Sequence, residues 1–184
     1  MYDGLVLAGG AARRLGGADK PGLVVGGATL LDRVLEACSG AARTVVVGPA
    51  RESSRPVVWV REDPPGGGPV PALVAGLAEV TAEVVVLLAA DLPFLTRDVV
   101  ETLAGRAPAV LTDGARPQWL CGAWPAAQLR EAATGAGPRL GALLEPLAPE
   151  IVTWAGEGSP WTDCDTEEDL EQARRRASWS SRSG

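Results

Sequence analysis

The amino-acid sequence predicts an α/β fold, a three-layer α/β/α sandwich in which helices cover both faces of a mostly parallel sheet. Short Val-rich runs alternate with segments rich in Ala, Leu and Glu, which is the pattern of consecutive βαβ units. The run at 84–88 is apolar without alternation, as expected for a strand covered on both faces. The length of 184 residues allows one domain with a substantial core and is short for two.

The elements can be placed in order along the chain from composition and apolar spacing. We expect strands at 4–8, 43–48, 56–60, 83–90, 109–113, 118–124 and 150–154, and helices at 29–39, 71–80, 96–105, 126–134, 138–147 and 166–176. The final stretch, ASWSSRSG, is polar and lacks periodicity. We therefore expect a single domain over 1–177 and a disordered tail over 178–184.

Charge and cysteine content exclude several classes of function. The net charge is −6, with 17 Lys and Arg against 23 Asp and Glu, and we expect no nucleic-acid partner because contact with phosphate backbones needs a basic surface. No apolar stretch approaches the roughly 18 residues of a membrane span, so no membrane association is expected. The three cysteines are widely spaced and fit neither a disulfide framework nor a CxxC metal site. A cytoplasmic location is the resulting expectation.

The absence of histidine limits the chemistry that the chain can perform. With no histidine, a Ser-His-Asp triad, a histidine base and a histidine-ligated zinc are excluded. Any reaction must use carboxylates, lysine, arginine, backbone amides or a metal ion.

Several bulky or charged residues have an ordinary structural interpretation. The tryptophans on predicted strands are expected in the core: Trp59, Trp119, Trp124 and Trp154. Cys121 and Cys164 are expected to be small buried apolar residues. Three arginines are expected on solvated faces: Arg33, Arg43 and Arg51.

A glycine-rich, basic loop follows the first predicted strand, in the stretch LVLAGGAARRLGGADK. Gly9 and Gly10 come directly after the strand, at the carboxyl end where open α/β sheets bind ligands. Glycines allow close backbone approach and amide nests for anions, and Arg13, Arg14 and Lys20 add positive charge. The loop predicts a site for a small anion, with a solvated glycine-rich surface loop as the alternative.

Acidic residues at two places suggest a metal site. Asp91 ends the apolar run that begins after Glu83, where a hard oxygen ligand would suit Mg²⁺. The alternative role is a helix N-cap, for which Thr96 is better placed. Asp163 and Asp165 alternate, so both face the same way in an extended segment and could complete a site with Asp91.

The chain closely resembles the MobA-like molybdenum cofactor guanylyltransferases, nucleotidyltransferases of the GT-A, Rossmann-like fold that nucleotide-diphospho-sugar transferases share. The resemblance starts from LAGGAARRLGGADK at 7–20, with RLG and the closing DK at the family's spacing. It continues in three stretches that extend it to about 170: VREDPPGGGPVPALVAGL at 60–77, LLAADLPFL at 87–95 and DCDTEEDL at 163–170.

The resemblance implies roles for individual residues. Catalytic roles fall on Arg14, Lys20 and Asp91, with the first two holding the triphosphate. Asp91 and Asp165 would bind Mg²⁺. The implied nucleotide-binding set is Leu7, Ala8, Gly9, Gly10, Lys20, Asp63, Gly68 and Asp91, and the implied acceptor-binding set is Arg116, Gln118, Asp163 and Asp165.

The resemblance also implies a reaction, the Mg²⁺-dependent transfer of GMP from GTP to molybdopterin with release of pyrophosphate. GTP rather than CTP is implied by LAGG at 7–10, because cytidylyl relatives usually have LAAG in this loop. The family usually has Asn at the positions of Asp163, Asp165 and Gly48. Alternatives are therefore CTP or another phosphorylated acceptor, as in phospholactate guanylyl transfer, and a non-catalytic nucleotide-binding scaffold. Transient contact with molybdoenzyme maturation proteins is a further implied partnership.

Overall fold

The fold was analysed in a computed structural model that describes residues 1–9, 19–135, 137, 139–156 and 158–180. The strands are β1 (Tyr2–Leu7), β2 (Val24–Val25), β3 (Ala28–Thr29), β4 (Thr44–Val47), β5 (Val58–Val60), β6 (Val84–Ala89), β7 (Ala109–Thr112), β8 (Pro117–Pro125) and β9 (Glu150–Thr153). The α-helices are α1 (Leu30–Ala37), α2 (Pro69–Leu77), α3 (Arg97–Ala104), α4 (Ala126–Ala133), α5 (Leu140–Leu144) and α6 (Glu167–Ser180). Short 3₁₀ turns lie at Lys20–Gly22 and Glu145–Leu147.

Within the described residues, seven strands form one sheet in the order β5-β4-β1-β6-β8-β7-β9. β1 lies in the interior of the sheet, parallel to β4 and to β6, so that Leu5 is in register with both Val45 and Leu87. β8 runs antiparallel to its two neighbours, β6 and β7, and the remaining pairs are parallel. The prediction of a mostly parallel sheet is confirmed, and the carboxyl ends of β1, β4 and β6 share one edge.

Helices cover both faces of the sheet, as the three-layer prediction requires. The side chains of β6 alternate between the two faces although all are apolar. Val86 and Leu88 pack with α1 and α3, whereas Val85 and Leu87 pack with α2, α4 and α5, and all four are fully buried. Burial on both faces explains the continuous apolar run, because each such side chain contributes about 1.5–3 kcal/mol of hydrophobic stabilisation.

A third, smaller core lies beside the sandwich, and the sequence did not indicate it. It consists of Val25, Leu30, Cys164, Leu170 and Ala173, which join α6 to the hairpin of β2 and β3. The hairpin strands have two residues each, too few to show a periodicity. Its turn, Gly26–Gly27, has positive φ at both positions, 57° and 83°, which glycine adopts without steric cost.

The predicted helix boundaries hold to within a few residues, with one larger difference at the end of the chain. α6 continues to Ser180, past the predicted end at 176 and into the segment expected to be a disordered tail. The additional turn, 177–180, begins with Ala177, the best helix former, and continues with serine and tryptophan residues of intermediate helix propensity. Residues 181–184 of the expected tail lie outside the described ranges. Among the described helices, none has the length and apolar character needed to cross a membrane.

Candidate functional site

A cavity of about 990 Å³ opens where the carboxyl ends of β1, β4 and β6 meet the amino end of α2. The backbone of β1 reaches into it, since Ala8 donates from its amide to Val47 while Leu7 accepts from the amide of Ala90. The lining includes six residues of the predicted nucleotide-binding set: Leu7, Ala8, Gly9, Lys20, Gly68 and Asp91. The volume lies at the upper end of the range typical of small-molecule sites.

Gly48 allows two strands to converge at the floor of this cavity. A Cβ atom at Gly48 would lie 3.0 Å from the carbonyl carbon and oxygen of Ala8, closer than real Cβ contacts usually come. The backbone of Ala8 therefore occupies the space that a side chain at position 48 would need. This close approach gives a physical reason for the departure from the asparagine of the resembled family.

Of the two acidic residues that follow β5, Glu62 and Asp63, only one lines the cavity. Asp63 is exposed and does not belong to the cavity lining, whereas the neighbouring Glu62 lines the cavity and is only 8% exposed. The Oε1 atom of Glu62 accepts a hydrogen bond of 3.0 Å from the amide of Gly66. Arg61 lines the same wall. The role of Asp63 at the base or ribose remains a prediction, and the structure adds Glu62 as a candidate.

Lys20 lies between two of the predicted metal ligands. Its Nζ forms an ion pair with Asp91 and donates a hydrogen bond of 2.5 Å to Asp165. Only 15% of the Lys20 side chain is exposed. Burial alone would lower the pKa of Lys20, but the Asp91 charge and hydrogen bonds to Asp165 and Asp91 outweigh it and raise the pKa above its ordinary value. The ammonium therefore stays charged.

Asp91, Asp163 and Asp165 converge from distant parts of the chain. Each can offer a carboxylate oxygen, and these three oxygens lie within 4.8 Å of one another. Partial burial raises the pKa of the Asp163 carboxyl, and repulsion from Asp165 and Asp91 acts in the same direction. Clustered carboxylate oxygens are the hard ligands that Mg²⁺ prefers, so this donor set fits such an ion.

The segment that carries Asp163 and Asp165 is anchored by the start of α6. Thr166 donates from its amide to Asp169 at 2.8 Å, and the amide of Asp169 donates to the Thr166 hydroxyl at 3.2 Å. This reciprocal pair is a capping box, with Asp in place of the usual Glu or Gln. Cys164 is fully buried in the small core, so the two flanking carboxylates are left outside it.

A second cavity, of about 460 Å³, adjoins the first at the carboxylate cluster. Asp91 and Asp165 line both cavities. Gln118 and Asp163, two predicted acceptor-binding residues, line the second one, whereas Arg116 is exposed and does not belong to its lining. The Gln118 amide donates to Asp113 at 2.9 Å.

Two expectations about tryptophan and arginine residues require correction. Trp124 is fully buried, but Trp119 is only partly buried and lines the second cavity together with Trp161. Arg33 is not solvated, since its guanidinium donates to the backbone carbonyls of Val25 and Gly26 at 2.7 and 3.1 Å. The other two arginines also have partners, because Arg43 donates to the carbonyl of Glu79 and Arg51 forms an ion pair with Asp19.

Some predicted residues cannot be placed. Gly10, Arg13 and Arg14 lie outside the described residues. Three residues that line the cavities were not among the predicted site residues: Glu62, Arg61 and Trp161. The sequence did contain a signal for Glu62, because the side chains of two consecutive residues in an extended segment point to opposite sides, so one of the acidic pair points inward. Which of the two points inward depends on the twist of the backbone.

Comparison with known proteins identifies relatives along the whole chain. The family model of the MobA-like NTP transferase domain matches residues 4–150. A molybdenum cofactor guanylyltransferase of Acidiphilium cryptum is 34% identical and is covered over 92% of both chains. A protein of the same name from Bradyrhizobium sp. is also 34% identical, over 97% of this chain and 94% of the relative.

Solved structures agree on the fold. A nucleotidyl transferase from Methanothermobacter thermautotroptrophicus superposes with a TM-score of 0.81 at 17% identity, covering 98% of this chain and 99% of the other. A 2-C-methyl-D-erythritol 4-phosphate cytidylyltransferase from Thermus thermophilus gives 0.70 at 21% identity, over 97% and 100%. The matched family region includes most of β1, most of the lining of both cavities and Asp91, and relatives covered over nine-tenths of their length are identical at about a third of positions, so the chain belongs to the MobA-like NTP transferase family.

Proposed function

We propose that the protein is a Mg²⁺-dependent guanylyltransferase that transfers GMP from GTP to the terminal phosphate of molybdopterin. The observation that carries the proposal is the meeting of two cavities at Asp91 and Asp165, the two carboxylates that pair with Lys20. One cavity is large enough for a nucleoside triphosphate and the other for a smaller acceptor. A reaction that joins the two substrates would take place at their junction.

The transfer needs no histidine. A phosphate oxygen of the acceptor attacks the α-phosphorus of GTP, the bond from the α-phosphorus to the bridging oxygen breaks, and pyrophosphate leaves. Lys20 would stabilise the negative charge that develops on the leaving oxygens. Asp91 and Asp165, with Asp163 beside them, would hold Mg²⁺, which when bound would neutralise charge on the phosphate oxygens. Arg14 is a further expected contact with the triphosphate.

Four features support GTP as the donor and a phosphorylated pterin as the acceptor. The relatives at 34% identity are named guanylyltransferases, and the loop reads LAGG at 7–10, the form that resembles guanine-selecting members. Glu62, buried at the cavity wall, offers a carboxylate that could accept hydrogen bonds from a base with N–H donors. Gln118 and Asp163 line the cavity assigned to the acceptor.

One observation favours a second candidate, in which the enzyme uses a different phosphorylated acceptor. Aspartates stand at 163 and 165 where the resembled family usually has asparagines, so the charge and the hydrogen-bonding groups offered to the acceptor differ from those of the family. CTP as donor belongs to the same group of alternatives. A non-catalytic scaffold is less favoured because Lys20, Asp91 and Asp165 form a complete charged site.

We also infer a cytoplasmic location and transient contact with molybdoenzyme maturation proteins. The location is supported by three cysteines that are all free and buried, since reduced thiols are typical of the cytosol. The contact is supported by the reaction itself, because its product would be passed to an enzyme that uses the cofactor.

The test compares wild type with Asp91→Asn, an isosteric change that removes a charged ligand. Thermal stabilisation by each of the four NTPs is measured with and without Mg²⁺, since a ligand that binds the native state raises Tm by mass action. We expect a shift confined to GTP that Mg²⁺ enhances in wild type but not in Asp91→Asn. A larger shift with CTP would contradict guanylyl transfer, and no shift with any NTP would favour the scaffold.

Catalysis is then measured as pyrophosphate release from GTP in the presence of molybdopterin. We expect Asp91→Asn to reduce the rate by roughly 10²–10³-fold, the loss seen when one charge-stabilising group is removed from a transition state. Asp98→Asn, on the exposed first turn of α3, is the matched control and should retain the wild-type rate. Equal rates for wild type and Asp91→Asn would contradict the proposal.

A further inference from the structure

We propose that Trp119 and Trp161 form an aromatic subsite in the second cavity that binds a planar, nitrogen-rich bicyclic ring of the pterin class. The inference rests on the proposed function, which sets the orientation of the ligand: its phosphate end would point to Asp91 and Asp165. It makes these two tryptophans specificity-determining residues for the acceptor.

An irregularity in β8 places Trp119 in the cavity. β8 pairs with β7 at Ala123 and Gly122, and the next registered pair is Thr112 with Pro117, so the intervening residues of β8 are bulged. Regular alternation would put Trp119 on the face of Cys121 and Ala123, which pack with α1 and α3. Trp119 instead packs with the core of the opposite face. Bulges of this kind redirect side chains, often beside functional sites.

The redirected indole is held in place from behind. Its ring stacks on Trp124, with centroids 6.4 Å apart and planes inclined by 29°. A Cβ atom at Gly141 would lie 2.8 Å from Nε1 of Trp119, so the missing side chain lets the indole rest against the backbone of α5. Packing therefore fixes Trp119 while part of its surface remains exposed to the cavity. A preorganised aromatic surface loses little entropy when a ring stacks on it.

The rest of the cavity matches a flat heterocycle rather than a small aliphatic acid. Its walls are apolar at Pro117, Leu120 and Leu140, and Trp161 adds a second indole. Besides the indole N–H groups, the polar side chains among the described lining residues are Gln118 and the carboxylates, of which Asp163 can accept hydrogen bonds from ring N–H groups. A volume of about 460 Å³ is ample for a bicyclic ring. An aliphatic phosphorylated acid has no flat ring that could stack on the two indoles.

The test measures the affinity of pterin itself by equilibrium dialysis in saturating GTP and Mg²⁺, so that the nucleotide cavity is already filled. We expect Trp119→Ala and Trp161→Ala each to weaken pterin binding by about 5- to 150-fold, the equivalent of about 1–3 kcal/mol per stacked base. Trp119→Phe keeps an aromatic face and should recover most of the affinity. Trp59→Ala, a partly buried tryptophan on β5 outside both cavity linings, is the matched control.

The GTP-induced Tm shift of each variant shows whether it is folded and keeps its donor site. Wild-type affinity for pterin in both alanine variants, or no binding of pterin to wild type, would overturn the aromatic subsite while leaving guanylyl transfer intact. Absence of the GTP shift in wild type would instead overturn the proposed function. An equal loss in Trp59→Ala would mean that general destabilisation causes the effect, which also overturns the subsite.

Discussion

At the residue scale, Lys20 is the group that connects the predicted anion loop with the predicted metal ligands. Its ammonium lies between Asp91 and Asp165, where one positive charge partly offsets the negative charges of two carboxylates. If these oxygens hold a divalent ion, as we propose, that ion would compete with the ammonium for them. Lys20 would then be free to contact phosphate oxygens.

Replacing Lys20 with Met should separate these two effects. We expect nucleotidyl transfer to fall by roughly 10²–10³-fold, because a charge that stabilises the leaving group is lost. We expect affinity for Mn²⁺ without nucleotide to rise by about tenfold, which is ~1.4 kcal/mol and well within the ~4 kcal/mol attraction of two charges 4 Å apart at an effective dielectric constant of 20. Titration of free Mn²⁺ by electron paramagnetic resonance measures this affinity.

The control for this prediction is Arg51→Met, which removes a nearby cation that pairs with Asp19 rather than with the carboxylate cluster. It should leave the Mn²⁺ affinity close to wild type. Unchanged or weaker Mn²⁺ binding by Lys20→Met would show that Lys20 does not compete for the metal ligands.

At the element scale, α6 and the hairpin of β2 and β3 hold the acidic segment against the sandwich. Their shared core is much smaller than the two cores of the sheet. Two contacts strengthen the attachment, the stacking of Arg176 on Phe94 at 4.1 Å and the hydrogen bond of 3.1 Å from Arg174 to the carbonyl of Val24. Because the shared core is small, we expect the stability of the start of α6 to depend strongly on its capping box.

Removing the cap should destabilise the protein without changing the nucleotide cavity. We expect Thr166→Ala to lower the free energy of unfolding by about 1 kcal/mol, the usual cost of losing an N-cap hydroxyl. Denaturant-induced unfolding followed by circular dichroism measures the change. Glu171→Gln, which removes an exposed ion pair from the same helix, should have almost no effect. Equal effects of the two variants would contradict the role of the cap.

The cap should also make stability depend on pH. Hydrogen bonding to the Thr166 hydroxyl, together with backbone amides, holds the pKa of Asp169 below its ordinary value of 3.8, although some burial opposes this. A carboxyl with a lowered folded-state pKa stabilises above its unfolded pKa, and that stability is lost as pH falls through the folded value. The difference in unfolding free energy between wild type and Asp169→Asn should therefore be largest near neutral pH and shrink below 3.8. A constant difference across this range would contradict the assignment.

At the scale of the whole molecule, the three cysteines report on the order in which its cores open. Burial raises the pKa of Cys38 and of Cys121 to about 12 and that of Cys164 to about 11. We expect no thiol to react with iodoacetamide in the native protein near neutral pH, because the reactive thiolate is absent and the sulfur atoms are buried. All three should react after complete unfolding.

Partial denaturation should expose these thiols in sequence. Cys164 belongs to the small core beside α6, whereas Cys38 belongs to a large core of the sheet. Local opening occurs most readily where few apolar contacts resist it, so Cys164 should be modified first. Peptide mapping by mass spectrometry across increasing urea measures the order. Earlier modification of Cys38 would show that α6 is not the weakest part of the fold.

Much of the fold was predictable because its signals are local. The continuous apolar run of β6 and the amphipathic pattern of α1 reflect burial along one element, and both were placed within a few residues. The placement of Gly9 and Asp91 at one sheet edge also followed, since parallel strands end on the same side. The hairpin at 24–29 was missed because two-residue strands have no period.

The sequence by itself therefore determined the order of strands and helices, the edge of the sheet that carries the site, and the charged residues available there. Only the tertiary structure decided that Lys20 pairs with Asp165, 145 residues away, that Glu62 rather than Asp63 lines the cavity, and that Trp119 packs on the opposite face and lines the second cavity. Periodicity and composition are properties of one segment, whereas these three outcomes depend on chain folding, backbone twist and a bulge set by neighbouring strands.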